Sequence, residues 1–121
     1  MAGHRAVQLA YSNPRPGMEA EFNHWYDTEH IRDVLSNPGY VSGQRFRVAD
    51  YQRPHLPPPR HSYLCIYEMD GDLPELFAAR DEAAKASDQA RPHYPTVNPD
   101  FYGYTGYLWV PMGPPVRKTP V

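Results

Sequence analysis

The stretch MEAEFNHWYDTEHIRDVL, Met18 to Leu35, decides how the chain is read. It is long enough for a helix of several turns, and its ends are punctuated. Asn13-Pro14-Arg15-Pro16-Gly17 breaks the chain before it, and Asn37-Pro38-Gly39 stops it. Glu19 and Glu21 lie in the first turn, where a carboxylate complements the helix dipole. On either side the apolar period falls from that of a helix to the two-residue repeat of a strand. Ala6 to Tyr11 alternates Val7, Leu9 and Tyr11 against Ala6, Gln8 and Ala10, and Tyr40 to Val48 alternates again. The helix is therefore the connection between two strands.

Further along, YQRPHLPPPR, Tyr51 to Arg60, is too rich in proline for either element and reads as an exposed, partly polyproline-II loop. His61 to Met69 is a third strand, with Tyr63, Cys65 and Tyr67 on one face and Leu64 and Ile66 on the other. Gly71-Asp72 opens a second helix with the stripe Leu73, Leu76, Phe77 and Ala84, fading between Ser87 and Arg91. Pro92 to Pro99 is loop, Phe101 to Val110 a fourth strand, and the tail from Pro111 is extended. The order β-α-β-β-α-β specifies a ferredoxin-like α+β unit: one antiparallel four-stranded sheet with two helices on one face. Its other face is too apolar for water, and pairing two sheets face to face hides it, which predicts a homodimer.

With 121 residues, the chain makes one domain, with its core at about residues 6–110 and a C-terminal tail at 111–121. A net charge of −2 gives no footprint for nucleic acid or an anionic membrane. There is no apolar run of membrane-spanning length, and MAGHRAVQLAYSN lacks the apolar segment of a signal peptide. The one cysteine, Cys65, cannot form an internal disulfide; a cytoplasmic protein with a buried, inert thiol is expected. Ten tyrosines suit a cavity with apolar walls and hydroxyl handles.

At about 100° per residue, Tyr26, His30, Asn23, Val34 and Asp27 of the first helix share a sector from about 80° to about 180°. Asn23, Tyr26 and His30 stand at i, i+3 and i+7 and can converge on one small molecule between helix and sheet. His30 is the candidate general acid/base. Tyr26 would hydrogen-bond substrate or orient the imidazole, and Asn23 would donate to a developing oxyanion. Asp27, Arg45, Trp25, Tyr63 and His24 are the candidate substrate-binding residues. Arg45 shares a strand face with Arg47 and could anchor a carboxylate. His24 points about 120° from His30, so the two do not act on one atom. The bland alternative is an amphipathic helix in which Phe22 and Trp25 are core, His30 is a bordering side chain and the sheet tyrosines are core or dimer contact.

The two helix histidines are six residues apart, not the four of HExxH, which disfavours a helix-borne zinc site. CxxC, GxGxxG, Walker A and GxSxG motifs do not occur, and no histidine is singled out as a haem ligand. No cofactor and no metal are expected.

Gly17, Glu21-Phe22-Asn23, Trp25-Tyr26, His30, Pro38-Gly39, Arg45-Phe46 and Tyr63-Leu64-Cys65-Ile66-Tyr67-Glu68 together resemble the dimeric α+β barrel superfamily, and within it the EthD-like small bacterial proteins. The resemblance spans roughly residues 6–110; His24, the proline-rich loop and the tail stand outside it. It implies a homodimer acting on a small molecule. The superfamily includes decarboxylases, dehydratases, cyclases, isomerases, cofactor-free monooxygenases, haem proteins and binding proteins, so fold analogy selects no reaction. The residues themselves suit a cofactor-independent lyase, cyclase or isomerase acting on an aromatic or polyketide-like acid or carbonyl compound. A cofactor-free monooxygenase and a non-catalytic binding protein of a degradative pathway are the alternatives.

Overall fold

In the computed structural model, residues 4–86 and 106–120 are described. The strands are β1 (His4–Ser12), β2 (Tyr40–Arg47), β3 (Tyr63–Gly71) and β4 (Tyr107–Trp109). They form one antiparallel sheet in the order β2-β3-β1-β4. The opening helix joins β1 to β2, and the second helix (Leu73–Ala86) follows β3. This is an α+β architecture compatible with the ferredoxin-like unit. The expected end of the second helix, the loop from Pro92 to Pro99 and the start of the fourth strand fall outside the described residues.

Strand register assigns the two sheet faces. Ala6, Gln8, Ala10 and Ser12 of β1 stand opposite Met69, Tyr67, Cys65 and Tyr63 of β3, while Gly43, Arg45 and Arg47 of β2 stand opposite Tyr67, Cys65 and Tyr63. Side chains of directly paired residues share a face. The alternation predicted for β3 is the one observed, with Cys65, Tyr67 and Met69 buried. This face carries the helix: Phe22, Tyr26, Val34, Cys65 and Tyr67 form the core cluster, with Trp25, Ile31, Leu35 and Tyr40 packed against it. On β1 the small and polar residues turn to the helix side, and Val7 and Leu9, paired with Trp109 and Tyr107 of β4, turn away. Small residues on β1 leave room for the rings of β3 beneath the helix.

The opening helix is not uniformly α-helical. It runs as an α-helix over Glu19–Trp25, a π-helical turn over Tyr26–His30 and an α-helix over Ile31–Leu35. The Ile31 N–H donates to the Tyr26 carbonyl, the five-residue bond that defines the wider turn. The 100° step assumed from sequence therefore fails after Trp25. The winding lags, and Ile31 swings onto β2, where its side chain would lie 3.1 Å from a Cβ placed at Gly43.

The second helix starts on Asp72, whose Oδ2 accepts the Glu75 N–H at 3.1 Å, an N-cap bond. The proline-rich segment 51–60 is exposed throughout, as expected. Its base is tied by Asn13, which donates to the Arg60 carbonyl at 3.0 Å and accepts the Ser62 N–H at 2.8 Å.

Gly39 joins the opening helix to β2 at φ 84°, and a Cβ there would come within 2.3 Å of Leu76 on the second helix. Both the left-handed backbone and the close approach demand glycine. Gly39→Ala is expected to destabilise the protein by about 2 kcal/mol or more, checked by urea unfolding. A midpoint within error of wild type would refute the constraint.

Candidate functional site

The π turn decides the site. Residues five apart on an α-helix diverge by about 140°, yet Trp25 and His30 are stacked, with centroids 4.6 Å apart and planes 19° from parallel. The Tyr26 ring meets the imidazole edge-on, 4.8 Å away and at 85° to it, and lies 5.7 Å from Trp25, so the three rings form a compact triangle. His30 is half-buried against them. Without the wider turn the imidazole could not lie on Trp25.

A second group forms where the helix crosses the edge strand β2. Arg45 donates through Nη1 to Asp27 Oδ1 and through Nη2 to Asn23 Oδ1, each at 2.8 Å. Asn23 Nδ2 donates to the Tyr63 hydroxyl at 3.2 Å. The guanidinium lies 4.4 Å from the centroid of the Tyr26 ring, with Tyr63 at 5.3 Å and Phe22 at 5.5 Å. Such stacking suits a delocalised, weakly hydrated cation.

The predicted residues thus assemble as two groups sharing one ring. Asn23, Asp27, Arg45 and Tyr63 form the polar group, and Trp25 and His30 form the stack. Tyr26 faces the cation of the first and the imidazole of the second. Its own hydroxyl turns inward, 3.4 Å from that of Tyr67 and buried. Asn23 is committed to Arg45 and Tyr63. His24 is exposed, and its carbonyl accepts the Thr28 hydroxyl at 2.7 Å. Arg47, on the same sheet face as Arg45, is exposed and pairs with Asp50 at 3.1 Å. Cys65 is buried beneath the Tyr26–Tyr67 pair.

One polar chain was not anticipated from sequence. Arg80 of the second helix donates to the Tyr40 hydroxyl at 2.7 Å, which donates to Gln8 Oε1 at 2.7 Å; Gln8 Nε2 reaches the Gly106 carbonyl at 3.3 Å. The available signal was Gln8, a polar residue between two alanines on the inward side of β1. A groove of about 660 Å³ lies elsewhere, between the start of β1 and the C-terminal arm, lined by Arg5, Val7, Trp109, Val110 and prolines of the arm. None of the predicted site residues lines it. Among the described residues, no group of three or more His, Cys, Asp or Glu side chains is placed to hold a metal ion, and no helix is long and apolar enough to cross a membrane.

Burial raises the pKa of Tyr26 and Tyr67, whose neutral phenols also sit beside one another and Cys65. Burial likewise raises Cys65 and, against the pull of Arg80, Tyr40. Folding therefore favours the protonated form of each. Their contribution is complete below the unfolded-state values of about 8.5 for Cys and about 10 for Tyr, and it is lost as pH rises from there towards the folded-state values. Thermal stability is expected to fall steeply above about pH 9–10. Tyr67→Phe should flatten that alkaline limb and cost about 1 kcal/mol at neutral pH; melting curves from pH 7 to 11.5 check both.

In comparisons with known proteins, no family model matches the chain, and neither a curated protein nor a solved structure matches it, so similarity assigns it no family.

Proposed function

We propose that the protein is a cofactor-independent enzyme of the dimeric α+β barrel kind, a lyase or cyclase/isomerase acting on a small aromatic or polyketide-like acid or carbonyl compound. The observation that carries this reading is the packing of His30 face-on against Trp25 and edge-on against Tyr26 at a π-helical turn. Such turns are frequent at functional sites, and a general base must be held in orientation to be effective. Decarboxylation, dehydration, cyclisation and isomerisation share two needs: a proton moved and negative charge delocalised. In this reading His30 moves the proton. Arg45, fixed by Asn23 and backed by the Tyr26 ring, supplies positive charge at the same helix–sheet junction. Tyr26, with its hydroxyl buried, acts as a positioning residue for both.

The dimer rests on the sheet face away from the helices. Leu9, Ile66 and Leu64 at its centre are flanked by Phe46, Tyr107 and Trp109, exposed at 41%, 64% and 58%. A contiguous aromatic and aliphatic face of this kind suits burial against a second copy.

Incubation with a panel of aromatic and polyketide-like acids and ketones, read by mass spectrometry with oxygen uptake recorded in parallel, tests the activity. His30→Gln is expected to abolish turnover while leaving the melting temperature within a few degrees of wild type. Full turnover in that variant at saturating substrate removes His30 from the mechanism, and stoichiometric oxygen uptake would make the reaction an oxygenation. In sedimentation, wild type should have twice the 13.9 kDa chain mass. Ile66→Glu should shift it to monomer, and a wild-type monomer at micromolar concentration would refute the dimer.

A further inference from the structure

The ion pair on the opening helix is asymmetric. The Arg45 side chain is 14% exposed, whereas that of Asp27 is 62% exposed. The cation is fixed by the Tyr26 ring and by Asn23, but the anion lies out in solvent and offers one oxygen, Asp27 Oδ1. Guanidinium has five N–H donors in a planar fork and takes carboxylates best in pairs of parallel bonds. Arg47 on the same strand offers the contrast: both it and Asp50 are exposed, at 64% and 92%, so its cation is not sunken.

We propose that Arg45 is the carboxylate-binding group of the site and that Asp27 occupies the ligand's position in the free protein as an internal competitor. The proposal rests on the reading of this helix–sheet junction as the substrate site, and it narrows the substrate class to carboxylates. An incoming carboxylate displaces Asp27 from Nη1 while Asn23 keeps Nη2 oriented. The half-buried ring of Tyr63, already beside the guanidinium, favours an acid whose carboxylate is borne on an aromatic ring. Asp27 returns when the anion leaves, so the cation is never left unpaired at the edge of the core.

Titration with benzoate, and with benzamide as its neutral counterpart, followed by calorimetry or amide chemical shifts, tests this. Asp27→Asn is expected to bind benzoate about three- to fivefold more tightly than wild type, the range of an exposed-to-partly-buried ion pair, with benzamide unchanged. Asp50→Asn removes the same charge from Arg47 and should leave benzoate affinity unaltered. Arg45→Lys keeps the charge but not the fork, and should weaken benzoate at least tenfold. The proposal is overturned if Asp27→Asn binds benzoate no better than wild type, if benzamide or Asp50→Asn shows the same gain, or if no variant binds benzoate. The acid–base reading fails separately: His30→Gln should still bind benzoate, and its retention of turnover would count against His30 without touching Arg45 and Asp27.

Discussion

The structure depends on one contact layer, the rings of Phe22 and Tyr26 pressed onto Cys65 and Tyr67 of the third strand. Burial of an aromatic or long aliphatic side chain contributes about 1.5–3 kcal/mol, and this cluster has few members, so each is consequential. The layer is thin because neighbouring positions are small. A Cβ at Gly43 would lie 3.0 Å from the Tyr67 ring, and Ala10 stands beside Cys65 in the register. The tyrosine hydroxyls meet at 3.4 Å, long for O–H···O. Ring burial, more than that bond, holds the helix to the sheet.

From this layer the site inherits its rigidity. The Tyr26 ring is at once a core member, the surface beneath Arg45 and a wall of the His30 stack. Packing and polar chemistry therefore share a side chain, and any change that loosens the core layer disturbs the cation and the imidazole together. The cluster around Arg45 is also a continuous hydrogen-bond chain: Tyr63 meets Asn23, Asn23 meets Arg45 and Arg45 meets Asp27 at its solvent end. The Arg80–Tyr40–Gln8 chain links the second helix, β2 and β1 by a separate route.

Much of the architecture was legible. The two-residue alternation of β3 showed which of its side chains would meet the helix, and Asn37-Pro38-Gly39 marked the helix end, because strand pleating and left-handed backbone are local requirements. The phase of the opening helix was not legible. A wheel drawn at constant pitch placed Asn23, Tyr26 and His30 on one flank, whereas the wider turn leaves Asn23 with Arg45 and carries His30 onto Trp25. Nothing in YDTEH announces such a turn, since its cost is met by contacts with distant strands. Arg45 was recognised as a possible anchor, but its pairing with Asp27, 18 residues away, depends on where the helix crosses the edge strand. Gln8, Tyr40 and Arg80 were missed for the same reason: their partners are remote in sequence.

The extra residue housed in the π turn also leaves the rest of the helix in phase, because the Ile31 N–H meets the Tyr26 carbonyl across one residue more than regular winding needs. Removal of a single amino acid between Tyr26 and His30 would let the same donor and acceptor close an ordinary α-helical bond, keeping Ile31, Val34 and Leu35 on the sheet side and rearranging only the backbone around the imidazole. Length variation in this segment would therefore fall on the chemistry and spare the underside of the helix.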